Sequence, residues 1–235
     1  MRRPYHRNMK YDPHKHHRRS TRLRGYDYAS AGAYFITICT RERESVFGEI
    51  TNGGMVLNEY GKIAVNCWLE IPAHFPQVEL DEYIFMPNHV HGIVMISGGV
   101  GATHASPSAP HGPKPKSIGS IAGSFKSAAA KRINQRRNGP GTPLWQRNFY
   151  DHIIRDNISL EAIRRYIHYN PLLWQFDADN VTKARAPGAY TDTSLRSAMP
   201  LLKNLCGFTP EEPEFIINYD TEYCRGANAP ALDEP

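Results

Sequence analysis

VELDEYIFMPNHVHGIVMI, residues 78–96, holds two runs rich in β-branched and aromatic residues, Val78 to Met86 and His89 to Ile96, with Pro87-Asn88 between them. Runs of this kind bounded by turn residues read as strands, and so short a link can only join them antiparallel. Upstream, Ala33-Tyr-Phe-Ile-Thr-Ile-Cys-Thr40 has the same character and reads as a first strand. Asn52-Gly53-Gly54 marks a hairpin or tight turn. From Leu57 to Glu70 the apolar Ile63, Cys67 and Ile71 recur at helical spacing behind a cap at Asn58, and Pro72 is the expected stop. Downstream, Ser117 to Asn134 places Ile118, Ile121, Phe125 and Ile133 on one helical stripe. Leu160 to Asn170 is a further amphipathic helix, and Pro171 places Asn170 at its end. The order strand, helix, strand, strand, helix, helix predicts an α+β fold, an antiparallel sheet with helices on one face.

Charge is distributed unevenly along the chain. Residues 1–25 carry nine Lys and Arg against Asp12 alone and lack apolar periodicity, so they are expected to form a disordered basic arm. Residues 208–235 carry seven acids against Arg225, within an extension, 176–235, that is expected to be poorly structured. No acid occurs between Glu82 and Asp151, whereas Lys114, Lys116, Lys126, Lys131, Arg132, Arg136, Arg137 and Arg147 do, a balance that attracts phosphates. Residues 97–115 are almost wholly Gly, Ala, Ser, Pro and His and read as a flexible insertion in a domain spanning 26–175. No run approaches the roughly 18 apolar residues of a membrane span, and the basic start lacks the apolar segment of a secretory signal, so an intracellular protein is expected. Cys39, Cys67, Cys206 and Cys224 form no C-x-x-C pair, which argues against a zinc ribbon or a disulfide framework.

Two features carry chemistry. His89 and His91 are two apart on a strand, so both imidazoles leave the same face and can meet at one divalent cation, although structural hydrogen bonding is the commoner reason for half-buried histidines. Tyr166 and Asn170 are four apart on a helix, which brings a phenol and an amide oxygen to one side; a core tyrosine and a helix cap would account for those. Tyr169 and Tyr150 are rival phenols, but Tyr169 lacks the four-residue spacing to Asn170.

Taken together with the basic stretch, these segments resemble the single-tyrosine HUH transposases, and within them the REP-associated tyrosine transposases. The matching segments are Gly32 to Thr40, Met86-Pro-Asn-His-Val-His-Gly92, Phe125-Lys126-Ser127, Trp145 to Arg155 with its Asp151-His-Ile-Ile-Arg155 core, and Tyr166-Ile-His-Tyr-Asn-Pro171. The resemblance implies a ferredoxin-like or RNA-recognition-like HUH endonuclease domain. It implies that His89, His91 and Asn170 hold Mg²⁺ or Mn²⁺ and that Tyr166 is the nucleophile for single-stranded DNA, cutting at or near a hairpin through a 5′-phosphotyrosine. Lys126, Lys131, Arg132, Arg147, His152 and Arg155 are then the candidate DNA contacts. A monomer and a homodimer are both compatible with it, and the expected location is the bacterial cytoplasm, at the nucleoid. A catalytically inactive hairpin-binding descendant of a transposase is the alternative. A relaxase or replication initiator fits less well, because the chain is short and carries the Tyr166 to Pro171 match.

Overall fold

β1 (Gly32–Cys39) is the strand on which the architecture is assembled. A short hairpin follows, β2 (Gly48–Thr51) and β3 (Gly54–Leu57), whose turn residues Asn52 and Gly53 have φ of 52° and 74°, the left-handed pair that a two-residue hairpin turn requires. Next come α1 (Glu59–Leu69), α2 (Ile71–His74), β4 (Val78–Phe85), β5 (His89–Ile96), α3 (Ile118–Arg136), β6 (Tyr150–Ile154) and α4 (Asn157–Leu173). The structure, a computed structural model, describes residues 22–23, 25–98, 114–177 and 180. Most of the basic arm, the insertion and the acidic extension therefore lies outside the described residues. At the edges of what is described, Arg22 Nε donates to Asp151 Oδ1 at 3.0 Å and Lys114 Nζ donates to Asp27 Oδ2 at 2.6 Å.

β1, β4, β5 and β6 form an antiparallel sheet in the order β4-β5-β1-β6. With α1 and α3 as the two crossovers this is the β-α-β-β-α-β connectivity of ferredoxin-like folds. Alternate residues of a strand face opposite ways, so the sheet has two distinct sides. Tyr34, Ile36, Ile38, Val90 and Val94 face α1 and α3 and pack with Trp68, Ile121, Phe125 and Ile133. Phe35, Ile93, Tyr150 and Ile154 pack instead with Ala162, Ile163, Tyr166 and Ile167 of α4. The α+β class and the antiparallel sheet are as expected, and α1 and α3 share one face. The expectation that all helices do so is corrected, because α4 covers the other face, the one that carries His89 and His91.

Three local differences from the sequence reading have physical causes. Pro72 does not mark a plain stop: α1 ends at Leu69, and α2 begins with Pro72 in its first turn, where the missing N–H has no helical partner to lose. Pro171 lies inside α4, and Asn170 is not the helix end, because burial of Pro171 and Leu173 carries the helix a turn further. β6 was not expected as a strand, since Asp151 and His152 interrupt its apolar pattern. It forms because the exposed edge of β1 accepts it, from Thr37 opposite Tyr150 to Ala33 opposite Ile154. No helix among the described residues is long and apolar enough to cross a membrane.

Gly92, next to His91, lies directly against the indole of Trp68, and a Cβ there would sit 2.4 Å from Trp68 Cζ2. Gly92→Ala is therefore expected to overpack this side of the sheet and destabilise the fold by about 1–3 kcal/mol. The effect is read as a lower urea midpoint at unchanged m-value; an unchanged midpoint would contradict the close approach.

Candidate active site

His89 and His91 leave β5 on the α4 side and are 0% and 1% exposed. Each ring is held through its Nδ1. His89 Nδ1 lies 2.8 Å from Asn88 Oδ1, while Asn88 Nδ2 donates to the Arg43 carbonyl at 3.1 Å. The amide orientation makes Oδ1 the acceptor, so the His89 proton is on Nδ1 and its Nε2 presents a lone pair. His91 Nδ1 lies 2.7 Å from Thr37 Oγ1, the residue opposite it on β1. The backbone of the loop supporting Asn88 is unusual: Glu42 and Arg43 are consecutive non-glycine residues with φ of 55° and 56°.

These anchors bring the two Nε2 atoms to 3.0 Å from one another. Burial, with the Arg43 charge adding to it, holds the His89 pKa well below the ordinary imidazole value, so this ring is a neutral donor at physiological pH. A bare Nε2 facing a second Nε2 is satisfied by a proton on the latter or by a cation bound to both. The 3.0 Å spacing is that of an N–H···N hydrogen bond, and it is also short enough for both nitrogens to bind one divalent ion.

Tyr166 and Asn170 approach from α4. Tyr166 Oη is 3.3 Å from His91 Nε2, with the two rings 5.2 Å apart, and the residue is 6% exposed. Phe35 supports both, stacking on His91 at 5.4 Å and meeting Tyr166 edge-on at 6.1 Å. Asn170, one helical turn on, is buried, and its Oδ1 has no hydrogen-bond partner among the described residues. A buried amide oxygen in that state is costly unless something satisfies it, and a cation would. Asp177, just beyond α4, also reaches this point: its Oδ2 is 3.9 Å from His89 Nε2, and one donor atom each from His89, His91 and Asp177 lie within 4.8 Å of one another. The sequence reading missed Asp177, which carries no periodicity or spacing signal and falls in the stretch read as unstructured. It also assigned no role to Asn88 or Thr37, although Asn88 lies in the quoted Met86 to Gly92 segment.

The structure distributes the remaining candidates differently. His152 faces the same side as the histidines, opposite Phe35, and burial with the nearby Arg155 charge lowers its pKa. Arg155 and Arg147 are exposed. Lys126 is committed to the fold, its Nζ donating to the carbonyls of Gln146 and Asn148 at 2.7 and 2.8 Å. Lys131 and Arg132 lie on α3, across the sheet from the histidines, and Arg132 forks onto Glu70 at 2.8 and 2.6 Å. Of the aromatic residues, Trp145 is a packing residue, its Nε1 donating to the Lys126 carbonyl at 2.9 Å and its ring 5.4 Å from both Phe47 and Phe125.

No protein-family model matches the chain. A Haemophilus influenzae protein described as uncharacterized is 44% identical over 174 residues, covering 72% of this chain and 96% of that protein. Among solved structures, a REP-associated tyrosine transposase bound to a REP hairpin is similar over 66% of this chain and 73% of that one, at 17% identity and a TM-score of 0.47.

Outer partners of metal-binding imidazoles commonly contribute about 10–100-fold in affinity. Thr37→Val keeps the side-chain shape and removes the oxygen that holds His91 Nδ1, so it is expected to weaken Mn²⁺ binding by about tenfold or more while the protein stays folded. Calorimetric titration with Mn²⁺ measures this, and wild-type affinity in the variant would show that Thr37 does not set the ring.

Proposed function

This chain belongs to the same protein family as the Haemophilus influenzae relative, and we propose that its site cleaves and rejoins single-stranded DNA through a covalent 5′-phosphotyrosine, in the manner of the tyrosine transposases it resembles in sequence. The observation that carries this reading is the convergence of Tyr166 Oη, His89 Nε2 and His91 Nε2 at one buried point, with spacings of 3.0 Å between the nitrogens and 3.3 Å from the phenol to His91. A tyrosine serving only the core has no need of a hydroxyl beside two histidines whose outer nitrogens are both pinned. The choice of DNA at or near a hairpin as substrate rests on the sequence resemblance.

In this reading Tyr166 is the nucleophile, and His89, His91 and Asn170 hold the cation. Bound Mg²⁺ or Mn²⁺ supplies positive charge that polarises the scissile phosphate and favours the phenolate over the phenol. Tyr166 Oη forms a bond to phosphorus as the bond to the 3′ oxygen breaks, and the phenol proton ends on that oxygen, giving a free 3′-hydroxyl. The phosphodiester energy is retained in the phosphotyrosine, so a 3′-hydroxyl from another strand end can reverse the step and be joined. The protein's part is orientation: Phe35 sets the tyrosine and His91 rings, Thr37 and Asn88 set the imidazoles, and α4 holds Tyr166 and Asn170 one turn apart.

Incubating the protein with single-stranded oligonucleotides from the DNA flanking its own gene is expected to give an adduct that survives denaturation in Mn²⁺ and is absent with chelator. Tyr166→Phe is expected to abolish the adduct while leaving oligonucleotide affinity within about threefold, because the hydroxyl acts in chemistry rather than in binding. Tight binding without any adduct, in both metals and across the flanking sequences, would favour the non-cleaving hairpin-binding alternative.

A further inference from the structure

The donors assigned to the cation so far, two imidazoles and an amide, are all neutral. Mg²⁺ and Mn²⁺ are hard ions that bind oxygen best when at least one ligand is a carboxylate. The described acid that reaches the histidines is Asp177, whose side chain is 9% exposed and whose Oδ2 is 3.9 Å from His89 Nε2. That distance is within the span of about 4.2 Å that two ligands of one such ion can bridge with bonds of about 2.1 Å. At 3.9 Å the contact is longer than a hydrogen bond, and one donor atom each from Asp177, His89 and His91 lies within 4.8 Å of the others.

The chain after α4 is shaped to deliver this carboxylate. A 3₁₀ turn, Trp174–Phe176, follows the helix, and the Asp177 backbone N–H donates to the Trp174 carbonyl at 3.2 Å. The Asn180 side chain donates to the same carbonyl at 2.9 Å. The Trp174 ring packs 6.0 Å from the His89 ring, so the turn is seated on the histidine that Asp177 approaches.

We propose that Asp177 is a further ligand of the metal site, an anionic oxygen carried by the turn after α4 that joins His89, His91 and Asn170 on one divalent ion. This rests on the reading of the two histidines as metal ligands. The test is Mn²⁺ binding by the full chain without DNA, followed by loss of the free-ion electron paramagnetic resonance signal, in wild type, Asp177→Asn and the double variant His89→Ala/His91→Ala. Asn is isosteric with Asp and removes only the charge, so Asp177→Asn is expected to weaken Mn²⁺ binding by at least about tenfold, with binding lost in the double variant. Loss in the double variant alone, with Asp177→Asn binding as wild type does, would overturn the role of Asp177 and leave the histidine site standing. Wild-type binding in both variants would overturn the metal site itself, and this proposal with it.

Discussion

Two buried imidazoles whose Nε2 atoms lie 3.0 Å apart need a proton or a cation between them, and the direction of both rings is set through their outer nitrogens. Much of the fold's local detail serves that constraint. The two-residue spacing on β5 puts both rings on one side. The register of β1 places Thr37 opposite His91, and the Glu42 and Arg43 loop, in left-handed backbone, positions the carbonyl that orients Asn88. On the reverse side of the same strand Gly92 gives way to Trp68, which fixes β5 against the core. The pair is buried, and each ring is already held through its Nδ1.

α4 supplies the other half. It is an addition to the ferredoxin-like connectivity, and it turns the sheet face that carries the histidines into a second core. Ala162, Ile163 and Ile167 bury its apolar stripe against Phe35 and Ile93, while Arg164 grips Asp81 at the β4 irregularity through Nε at 3.1 Å and Nη2 at 2.5 Å. Tyr166 belongs to that apolar stripe by position and to the histidine pair by its hydroxyl. The packing that fixes the helix therefore also fixes the proposed nucleophile. The helix then leads directly into the turn that brings Asp177 beside His89.

Where the sequence was readable, local physics decided the outcome. The β-branched runs of β1, β4 and β5 became strands; Asn58 caps α1, accepting from the Gly61 N–H at 2.9 Å; and Ile118, Ile121, Phe125 and Ile133 are all buried on α3. The period-two spacing of His89 and His91 and the four-residue spacing of Tyr166 and Asn170 are local as well. What was not readable depended on long-range partners. β6 forms only because β1 offers an edge, and the face chosen by α4 is invisible in its own periodicity. Asp177 meets His89 across 88 positions of sequence that no spacing rule connects. The basic stretch shows the same limit in reverse: Lys126 and Arg132 read as phosphate contacts, yet the fold already engages one with loop carbonyls and the other with Glu70.

The central claim is that the phenol beside the histidine pair is the atom that attacks DNA, and the most direct measurement identifies that atom. A protein–DNA adduct formed in Mn²⁺ would be digested with nuclease and trypsin and its modified peptide sequenced by mass spectrometry. Cleavage after Arg165 leaves Tyr166 and Tyr169 in one peptide, and fragmentation separates them. The geometry predicts phosphate on Tyr166. Phosphate on Tyr169 or on Tyr150 would contradict it, since neither of those residues is placed by α4 with its hydroxyl beside His91.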